Sequence, residues 1–131
     1  MYERILVPID GSQLAKKAGF EAVQLAKKIG ATLIVTNIID QQETKPYEEL
    51  ENNAKEYIKE IVDNALENNV KCESQIIYGS PKYDIMTLTR KSEADCVMLG
   101  THGKTGLSST LLGSFAQNVI KNINLPIILI K

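Results

Sequence analysis

The sequence has few of the residues that build a metal site or a disulfide framework. It contains two cysteines, one histidine and no tryptophan. Two cysteines without a CxxC pair, together with a single histidine, argue against a structural zinc site. Cys72 and Cys96 both lie in apolar segments, so we expect reduced thiols that behave as small buried hydrophobes.

Long apolar runs and an excess of one charge are absent too. No stretch approaches the roughly 18 apolar residues that would span a membrane, and the N-terminus lacks the basic and apolar regions of a signal peptide. The net charge of −1 over 131 residues gives no basic face for nucleic acid. We therefore expect one domain over residues 1–131, located in the cytoplasm, with no membrane and no nucleic acid as partner.

What is present is an alternation of short apolar runs and amphipathic segments. Ser12 precedes a helical stripe that begins at Ala15 and stops at Gly30. Alternation of this kind predicts right-handed βαβ units. The predicted strands are Arg4–Ile9, Ala31–Ile39, Val70–Tyr78, Asp95–Leu99 and Leu125–Ile130, and the later helices are Tyr47–Asn68, Pro81 to about Ser92, and Ser114–Asn122.

The fold class that follows is a three-layer α/β/α sandwich around a five-stranded parallel sheet, which is a Rossmann-like arrangement. Ala31–Ile39 is almost continuously apolar, as is typical of a parallel strand covered on both faces. Leu125–Ile130 is apolar on both sides, and at a sheet edge it would expose a hydrophobic ladder. Pairing with its copy would cover that ladder, so we expect a homodimer through this strand. The alternative is that the strand inserts centrally in the sheet.

A glycine-rich loop follows the fourth predicted strand. It contains Gly100, Gly103 and Gly106, with five hydroxyl residues between positions 101 and 110, and it closes on Gly113-Ser114 directly before a helix. Glycine lets successive backbone N–H groups converge on one point, and the helix adds its unpaired N–H groups and dipole. A phosphate is the expected guest.

Ligands of open α/β sheets bind beyond the carboxyl ends of the strands. A nucleotide there would lay its base against Ile9 and Ile38. Its ribose would approach Asp10, and its phosphates would enter the cradle between Gly103 and Ser114. Charge-assisted hydrogen bonds from several backbone donors would supply affinity without a lysine.

Two motifs resemble known phosphate loops without matching them. Gly103-Lys104-Thr105 looks like the end of a P-loop, but GxxxxGK[ST] needs glycine at position 98, where Met98 stands, and no GxGxxG follows the first strand. His102 has no Cys, Asp or Glu within the loop to form a dyad, so a structural or phosphate-contacting role is favoured over catalysis. Lys104 either contacts phosphate or is solvated.

The spacing Gly100-x2-Gly103-x9-Gly113-Ser114 resembles the nucleotide-binding signature of the universal stress protein family, G-x2-G-x9-G-[ST]. Ile5–Ser12 is similar to that family's first strand and turn, Ile38–Asp40 to the end of its second strand, and Asn122–Ile130 to its closing segment. The similarity therefore extends over the whole chain.

The resemblance implies a cytoplasmic, usually dimeric domain of the adenine nucleotide alpha-hydrolase-like class. Its motif-bearing members bind ATP, with Mg or Mn held through the phosphates and Asp10 as a candidate ligand. By position, the adenine and ribose would be lined by Pro8, Ile9, Asp10 and Ile38, flanked by Met98 and Gly100, and the phosphates cradled by Gly103, Gly113, Ser114, Phe115 and Ala116. Some members carry a hydroxyl residue where this chain has Ala116, which removes one phosphate donor.

Three functions compete. The first is an ATP-binding regulatory or stress-response module with weak or no hydrolysis, because no P-loop lysine is present and neither Arg4 nor Arg90 is placed near the loop. The second is a slow ATP hydrolase or nucleotidyl-transfer enzyme of the same superfamily. Such enzymes would need a Ser-Gly-Gly loop or a histidine pair after the first strand, and Asp10-Gly11-Ser12 supplies neither. The third is an interaction module without nucleotide, against which the intact glycines weigh.

Overall fold

The computed structural model describes residues 2–103 and 111–131 of the chain. Strands and helices alternate through it, and the helix boundaries lie within about two residues of those predicted. The strands are β1 Arg4–Pro8, β2 Thr32–Asp40, β3 Cys72–Gly79, β4 Cys96–Gly100 and β5 Ile127–Ile130, and the helices are α1 Gln13–Ile29, α2 Tyr47–Glu67, α3 Pro81–Lys91 and α4 Ser114–Asn122.

The ends of α1 follow from its flanking residues. The Ser12 hydroxyl oxygen accepts a hydrogen bond from the backbone N–H of Ala15 at 3.1 Å, which satisfies one donor left open at the helix start. Gly30 ends the helix in the left-handed region with φ of +74°, and its N–H donates to the Ala26 carbonyl. The predicted cap and stop are both confirmed.

All strand pairs are parallel, and the sheet order is β3-β2-β1-β4-β5. The predicted five-stranded parallel sheet is therefore confirmed. The order reverses between β1 and β4, because β2 and β3 extend to one side of β1 and β4 and β5 to the other. Ligands of open parallel sheets bind at the carboxyl ends of the strands on either side of such a reversal.

Helices cover the two faces of the sheet in pairs, and each pair encloses its own core. Alternate strand residues point to opposite faces. One core joins α1 and α2 to the sheet and includes Ile5, Val7, Leu33, Val35 and Ile61. The other joins α3 and α4 to the opposite face and includes Leu6, Ile34, Ile85, Val97 and Val119. Small residues such as Ala18 and Ala22, both fully buried, let α1 lie close to the sheet.

The strand β5 lies at one edge of the sheet, so the alternative of a central insertion is wrong. It begins at Ile127 rather than Leu125, because Pro126 has no N–H to give to the ladder and contributes only its carbonyl, which accepts from Val97 at 3.0 Å. Leu129 keeps 36% of its surface exposed on this edge.

Neither cysteine forms a disulfide. Cys96 is buried, as predicted, but Cys72 is only partly so, because it begins the edge strand β3. Burial raises the pKa of the Cys72 thiol to about 11. In the described ranges no helix has the length and apolar character that crossing a membrane requires.

Candidate functional site

A cavity of about 260 Å³ opens at the carboxyl ends of β1, β2 and β4. It spans the point where the strand order reverses, and the first turns of α2 and α4 close its sides. The walls combine aliphatic side chains with a small number of polar groups, the composition typical of small-molecule sites. The residues that line it are Pro8, Ile9, Asp10, Ser12, Ala15, Thr36, Asn37, Ile38, Ile39, Asp40, Glu43, Lys45, Leu50, Asn53, Ala54, Tyr57, Pro81, Leu99, Gly100, His102, Gly103, Phe115 and Ala116.

Aspartates end β1 and β2 in the same way, and both line the cavity. The Oδ1 atom of Asp10 accepts from the backbone N–H of Ser12 at 2.9 Å, and Oδ1 of Asp40 accepts from the N–H of Gln42 at 3.0 Å. Each carboxylate thereby closes a short Asx turn, which holds it at the rim of the sheet. The two strand ends present two anchored carboxylates to the same space.

Two glycines, one at the end of β4 and one just after it, lie close to neighbouring atoms. A Cβ on Gly100 would come within 3.1 Å of the Leu14 carbonyl carbon, so a side chain there would push against the start of α1. A Cβ on Gly103 would come within 2.8 Å of Oδ2 of Asp10. The segment after β4 therefore runs directly beside the carboxylate that ends β1.

Thr101 connects the β4 end to its neighbours. Its N–H donates to the Ile130 carbonyl at 2.9 Å, and its carbonyl accepts from the N–H of Gly113 at 2.7 Å. Gly113, the residue before α4, therefore lies beside Thr101 at the end of β4. The Thr101 hydroxyl is also 3.1 Å from Nδ1 of His102, which lines the cavity.

Most of the residues predicted for the site meet in this cavity. They are Pro8, Ile9, Asp10, Ile38, Gly100, His102, Gly103, Phe115 and Ala116. Ile9 and Ala116 are almost completely buried, and Phe115 is partly buried at the first turn of α4.

Three predicted residues lie off the cavity. Met98 is 4% exposed and packs in the core between the sheet and helices α1 and α2. Its neighbour Leu99 points to the opposite face of β4 and lines the cavity. Gly113 does not line the cavity, and its N–H donates to the Thr101 carbonyl. Ser114 is exposed and does not line the cavity. The predictions for Lys104 and Gly106 concern positions outside the described residues.

Sequence reasoning missed the contribution of α2. The cavity is lined by Leu50, Asn53, Ala54 and Tyr57, none of which is among the residues predicted for the site. The helix follows β2, so it begins at the carboxyl edge of the sheet, and its first turns stand beside the cavity. The signal was available in the chain order, since any helix after a parallel strand starts at the ligand-binding edge.

Thr36 and Asn37 were also missed. They interrupt the apolar run of β2, and both are buried, at 0% and 7% exposure. Nδ2 of Asn37 donates to the Ile9 carbonyl at 2.6 Å, whereas the Thr36 hydroxyl has no hydrogen-bond partner among residues 2–103 and 111–131. A buried polar group costs free energy unless it is paired, so two such residues in one strand are themselves a sign of a site.

The charged groups of the cavity are mostly acidic. Asp10, Asp40 and Glu43 line it together with Lys45. Within residues 2–103 and 111–131, no set of three metal-ligating side chains converges on one point. The protein side chains described here therefore do not form a metal cage by themselves.

Comparison with known proteins identifies relatives over the whole length. The model of the universal stress protein family matches residues 1–131. Universal stress protein MJ0577 of Methanocaldococcus jannaschii is 31% identical, covering 100% of this chain and 96% of the relative. The solved structure of the hypothetical protein MJ0577 superposes with a TM-score of 0.86 at 30% identity, covering 100% of this chain and 96% of that one.

Two further solved structures share the fold and hold nucleotides. One is a universal stress protein from Archaeoglobus fulgidus in complex with dAMP, with a TM-score of 0.77 and 22% identity, covering 99% of this chain and 98% of that one. The other is a universal stress protein in complex with cAMP, with a TM-score of 0.74 and 23% identity, covering 99% and 97%. At these identities the likeness establishes the fold alone.

Proposed function

This chain belongs to the universal stress protein family, and from that premise we propose that it binds an adenine nucleotide, ATP foremost, in the cavity at the carboxyl edge of its sheet. The observation that carries the proposal is the cavity itself, which joins an aliphatic wall, two anchored carboxylates and the first turn of α4 in one space. Relatives of the same fold hold dAMP and cAMP, which makes adenine nucleotides the ligand class to test first.

The walls suggest how the nucleotide lies. The planar base fits between the aliphatic side chains of Ile9 and Ile38, where burial of apolar area contributes most. The ribose hydroxyls are donors for the carboxylate of Asp10. The phosphates extend toward Gly103 and the N-terminal turn of α4, whose N–H groups at Phe115 and Ala116 have no helical partner.

A divalent cation fits this arrangement only as a companion of the phosphates. Magnesium is commonly held by one or two carboxylates together with phosphate oxygens and water. Asp10 and Asp40 would supply the carboxylates, and phosphate oxygens the remaining ligands. When bound, such an ion would neutralise phosphate charge beside an otherwise acidic wall.

We propose a regulatory module with little or no ATP hydrolysis. Transition-state charge in phosphoryl transfer is commonly stabilised by an arginine. Arg4 is engaged at the opposite end of β1, where it pairs with Glu73 and donates to the Ser92 carbonyl. Arg90 lies in the last turn of α3, a helix that begins at the cavity edge and runs away from it. The one-domain, cytoplasmic and homodimeric character of the chain likewise stays our proposal.

The first experiment is to denature the purified protein and separate the released nucleotides by anion exchange. Released ATP supports a binding module, whereas ADP or AMP alone, together with phosphate release from added Mg-ATP, supports the hydrolase. The absence of nucleotide, with no heat of binding on titration of Mg-ATP, would contradict both.

A variant locates the binding. Ile38→Glu replaces an aliphatic side chain that we expect to contact the base by a carboxylate. Burial of an isoleucine side chain is worth about 1.5–3 kcal/mol, so we expect the ATP dissociation constant to rise at least about tenfold. Ile29→Glu is the matched control, since Ile29 is 46% exposed at the end of α1, remote from the cavity. Equal affinities of the two variants would place the nucleotide elsewhere.

A further inference from the structure

The turn that carries the Asp10 carboxylate is tied to the start of α1. Oδ1 of Asp10 accepts from the N–H of Ser12 at 2.9 Å, and the Ser12 hydroxyl accepts from the N–H of Ala15 at 3.1 Å. Residues 10–12 therefore form one hydrogen-bonded unit with the helix. Between the two bonded residues of the turn lies Gly11, which has no side chain with which to hold the unit in shape.

Gly11 is the position at which this turn is easiest to deform. Its φ of +88° lies in the left-handed region, which glycine adopts as readily as many other conformations. Fixing a turn through glycine therefore costs more conformational entropy than fixing it through any other residue. A contact from outside the turn can supply the missing order.

That contact comes from Tyr57, in the middle of α2. The atoms nearest to a Cβ built on Gly11 are Cζ, Cε1 and Cε2 of the Tyr57 ring, so the hydroxyl-bearing end of the ring packs directly on the turn. The same side chain packs against the core between α1, α2 and the sheet, and it lines the cavity. Tyr57 thus lies between the core and the turn and joins the two.

We propose that Tyr57 is a positioning residue, which acts through Gly11 to hold the Asp10 carboxylate in the orientation that binds the ribose hydroxyls. The inference rests on the proposed nucleotide site and deepens it. The other carboxylate oxygen of Asp10 lies beside Gly103, where a Cβ would come within 2.8 Å of it. The carboxylate is therefore confined from two directions, by α2 through Gly11 and by the segment after β4.

Confinement of this kind matters only to a ligand that uses the carboxylate. An acceptor that is already ordered binds a ligand without a further cost in conformational freedom. Without the Tyr57 ring, the turn at Gly11 gains conformations, and each hydrogen bond from the ribose to Asp10 must order it again. A nucleotide without ribose hydroxyls makes no such bond. Loss of the ring should therefore reduce the preference for ribose rather than the affinity for every nucleotide.

The test compares ATP with 2′,3′-dideoxy-ATP by calorimetry at constant Mg²⁺. We expect the unaltered protein to prefer ATP at least about tenfold, because the dideoxy compound forms no hydrogen bond to the carboxylate. If neither triphosphate binds, the proposed nucleotide site is wrong. If both bind equally well, the site stands, but Asp10 does not select the ribose and the role of Tyr57 is overturned.

Two variants then separate positioning from general support. Tyr57→Leu removes the ring, and its preference for ATP should fall to about 1–3-fold. Tyr57→Phe keeps the ring and should restore the preference of the unaltered protein. If Tyr57→Leu lowers the affinities for both triphosphates equally and leaves the preference intact, the residue serves only the stability of the fold and the proposal is overturned.

Phe20→Leu is the matched control. Phe20 lies on α1 and packs against the same core, but it does not line the cavity. It should lose stability toward urea as Tyr57→Leu does, yet keep the preference for ATP. An equal loss of preference in both variants would overturn the specific role of Tyr57. If Tyr57→Leu does not fold, as judged by circular dichroism, Tyr57→Met takes its place with the same expectation, because methionine fills irregular gaps in a core.

Discussion

Gly11 lies directly against the aromatic ring of Tyr57, so that a Cβ built on Gly11 would come within 2.6 Å of the ring atom Cε2. The φ of Gly11 is +88°, which disfavours any L side chain there. Tyr57 belongs to α2, and Gly11 belongs to the turn that follows β1. The contact therefore joins the Asx turn of Asp10 to the helix that forms the opposite wall of the cavity.

Replacement of Gly11 by alanine should destabilise the protein through two effects. The left-handed backbone costs an alanine about 1 kcal/mol, and the methyl group must displace the Tyr57 ring, which overpacking data place at about 1–3 kcal/mol. We expect the free energy of unfolding to fall by about 2–4 kcal/mol, measured by urea denaturation. Because the turn carries Asp10, the affinity for ATP should fall as well.

Gly30→Ala is the matched control for this prediction. Gly30 has a similar φ of +74°, but a Cβ there would have no neighbour within 4 Å. It should show only the backbone cost of about 1 kcal/mol. Equal losses in the two variants would mean that the Tyr57 ring moves aside freely.

The elements of the fold could be predicted because their signals are local. Ser12, Gly30 and Pro81 mark helix ends by their own backbone chemistry, and the apolar run of β2 indicates a strand buried on both faces. The order of the strands is a different matter. Alternation implies parallel pairing, and the apolar last strand favoured an edge position for β5, which the structure confirms, but neither signal gives the full order β3-β2-β1-β4-β5.

The position of a residue at the cavity could be predicted where the residue follows a strand end, as Asp10 and Gly103 do. Met98, which was also predicted, packs in the core beside α1 and α2 and does not line the cavity, whereas the next residue, Leu99, does. Gly113 fits the motif by spacing, yet its N–H bonds the Thr101 carbonyl. Spacing identifies residues that shape a loop but cannot separate those that contact a ligand from those that hold the loop closed.

The ion pair between Arg4 and Glu73 should make stability depend on pH in the acid range. The guanidinium donates to both carboxylate oxygens, at 3.0 and 2.9 Å, and this hydrogen bonding holds the pKa of Glu73 below its usual value. A carboxyl group with a lowered pKa in the folded state contributes stability above its unfolded pKa, and that contribution is lost as the pH falls through the folded pKa. Solvent screens the pair, since the Glu73 side chain is 54% exposed.

We therefore expect Glu73→Gln to lower the free energy of unfolding by about 0.5–1 kcal/mol near neutral pH. The difference between the variant and the parent should shrink on acidification and disappear once the pH lies below the lowered folded-state pKa of Glu73, where the carboxyl is protonated in both states. Urea titrations of both proteins across this range measure it. A difference that persists undiminished at low pH would show that the side chain acts through packing rather than charge.

The exposed edge of β5 predicts the oligomeric state. Leu129 is 36% exposed on an edge strand whose other residues are aliphatic, and pairing with a second copy would cover this ladder. We expect sedimentation velocity to show a dimer at micromolar concentration, and Leu129→Lys to shift it to the monomer. Leu66→Lys is the control, because Leu66 is 66% exposed near the end of α2, away from β5. A monomeric parent protein would contradict the proposed dimer.

Thr36 should show opposite effects on stability and on binding. Its hydroxyl is buried in the cavity wall and has no hydrogen-bond partner in the part of the chain that the structure describes, and a buried unpaired hydroxyl costs about 1–3 kcal/mol by protein mutational data. Valine has nearly the same shape and suits a strand. Thr36→Val should therefore raise the free energy of unfolding of the ligand-free protein by about 1 kcal/mol.

Thr89→Val supplies the matched comparison, because the Thr89 hydroxyl is also buried but donates to the Ile85 carbonyl at 2.6 Å. Removing that bond should lower stability by about 0.5–1.5 kcal/mol. If the nucleotide supplies the missing hydrogen-bond partner of the Thr36 hydroxyl, removal of that hydroxyl weakens binding. We therefore expect Thr36→Val to bind ATP about 2–10-fold more weakly, and Thr89→Val to bind it with the parent affinity. Urea titration and calorimetry on the two variants decide the point. If Thr36→Val is destabilised as much as Thr89→Val, the Thr36 hydroxyl has a partner in the free protein and no role for it in binding follows.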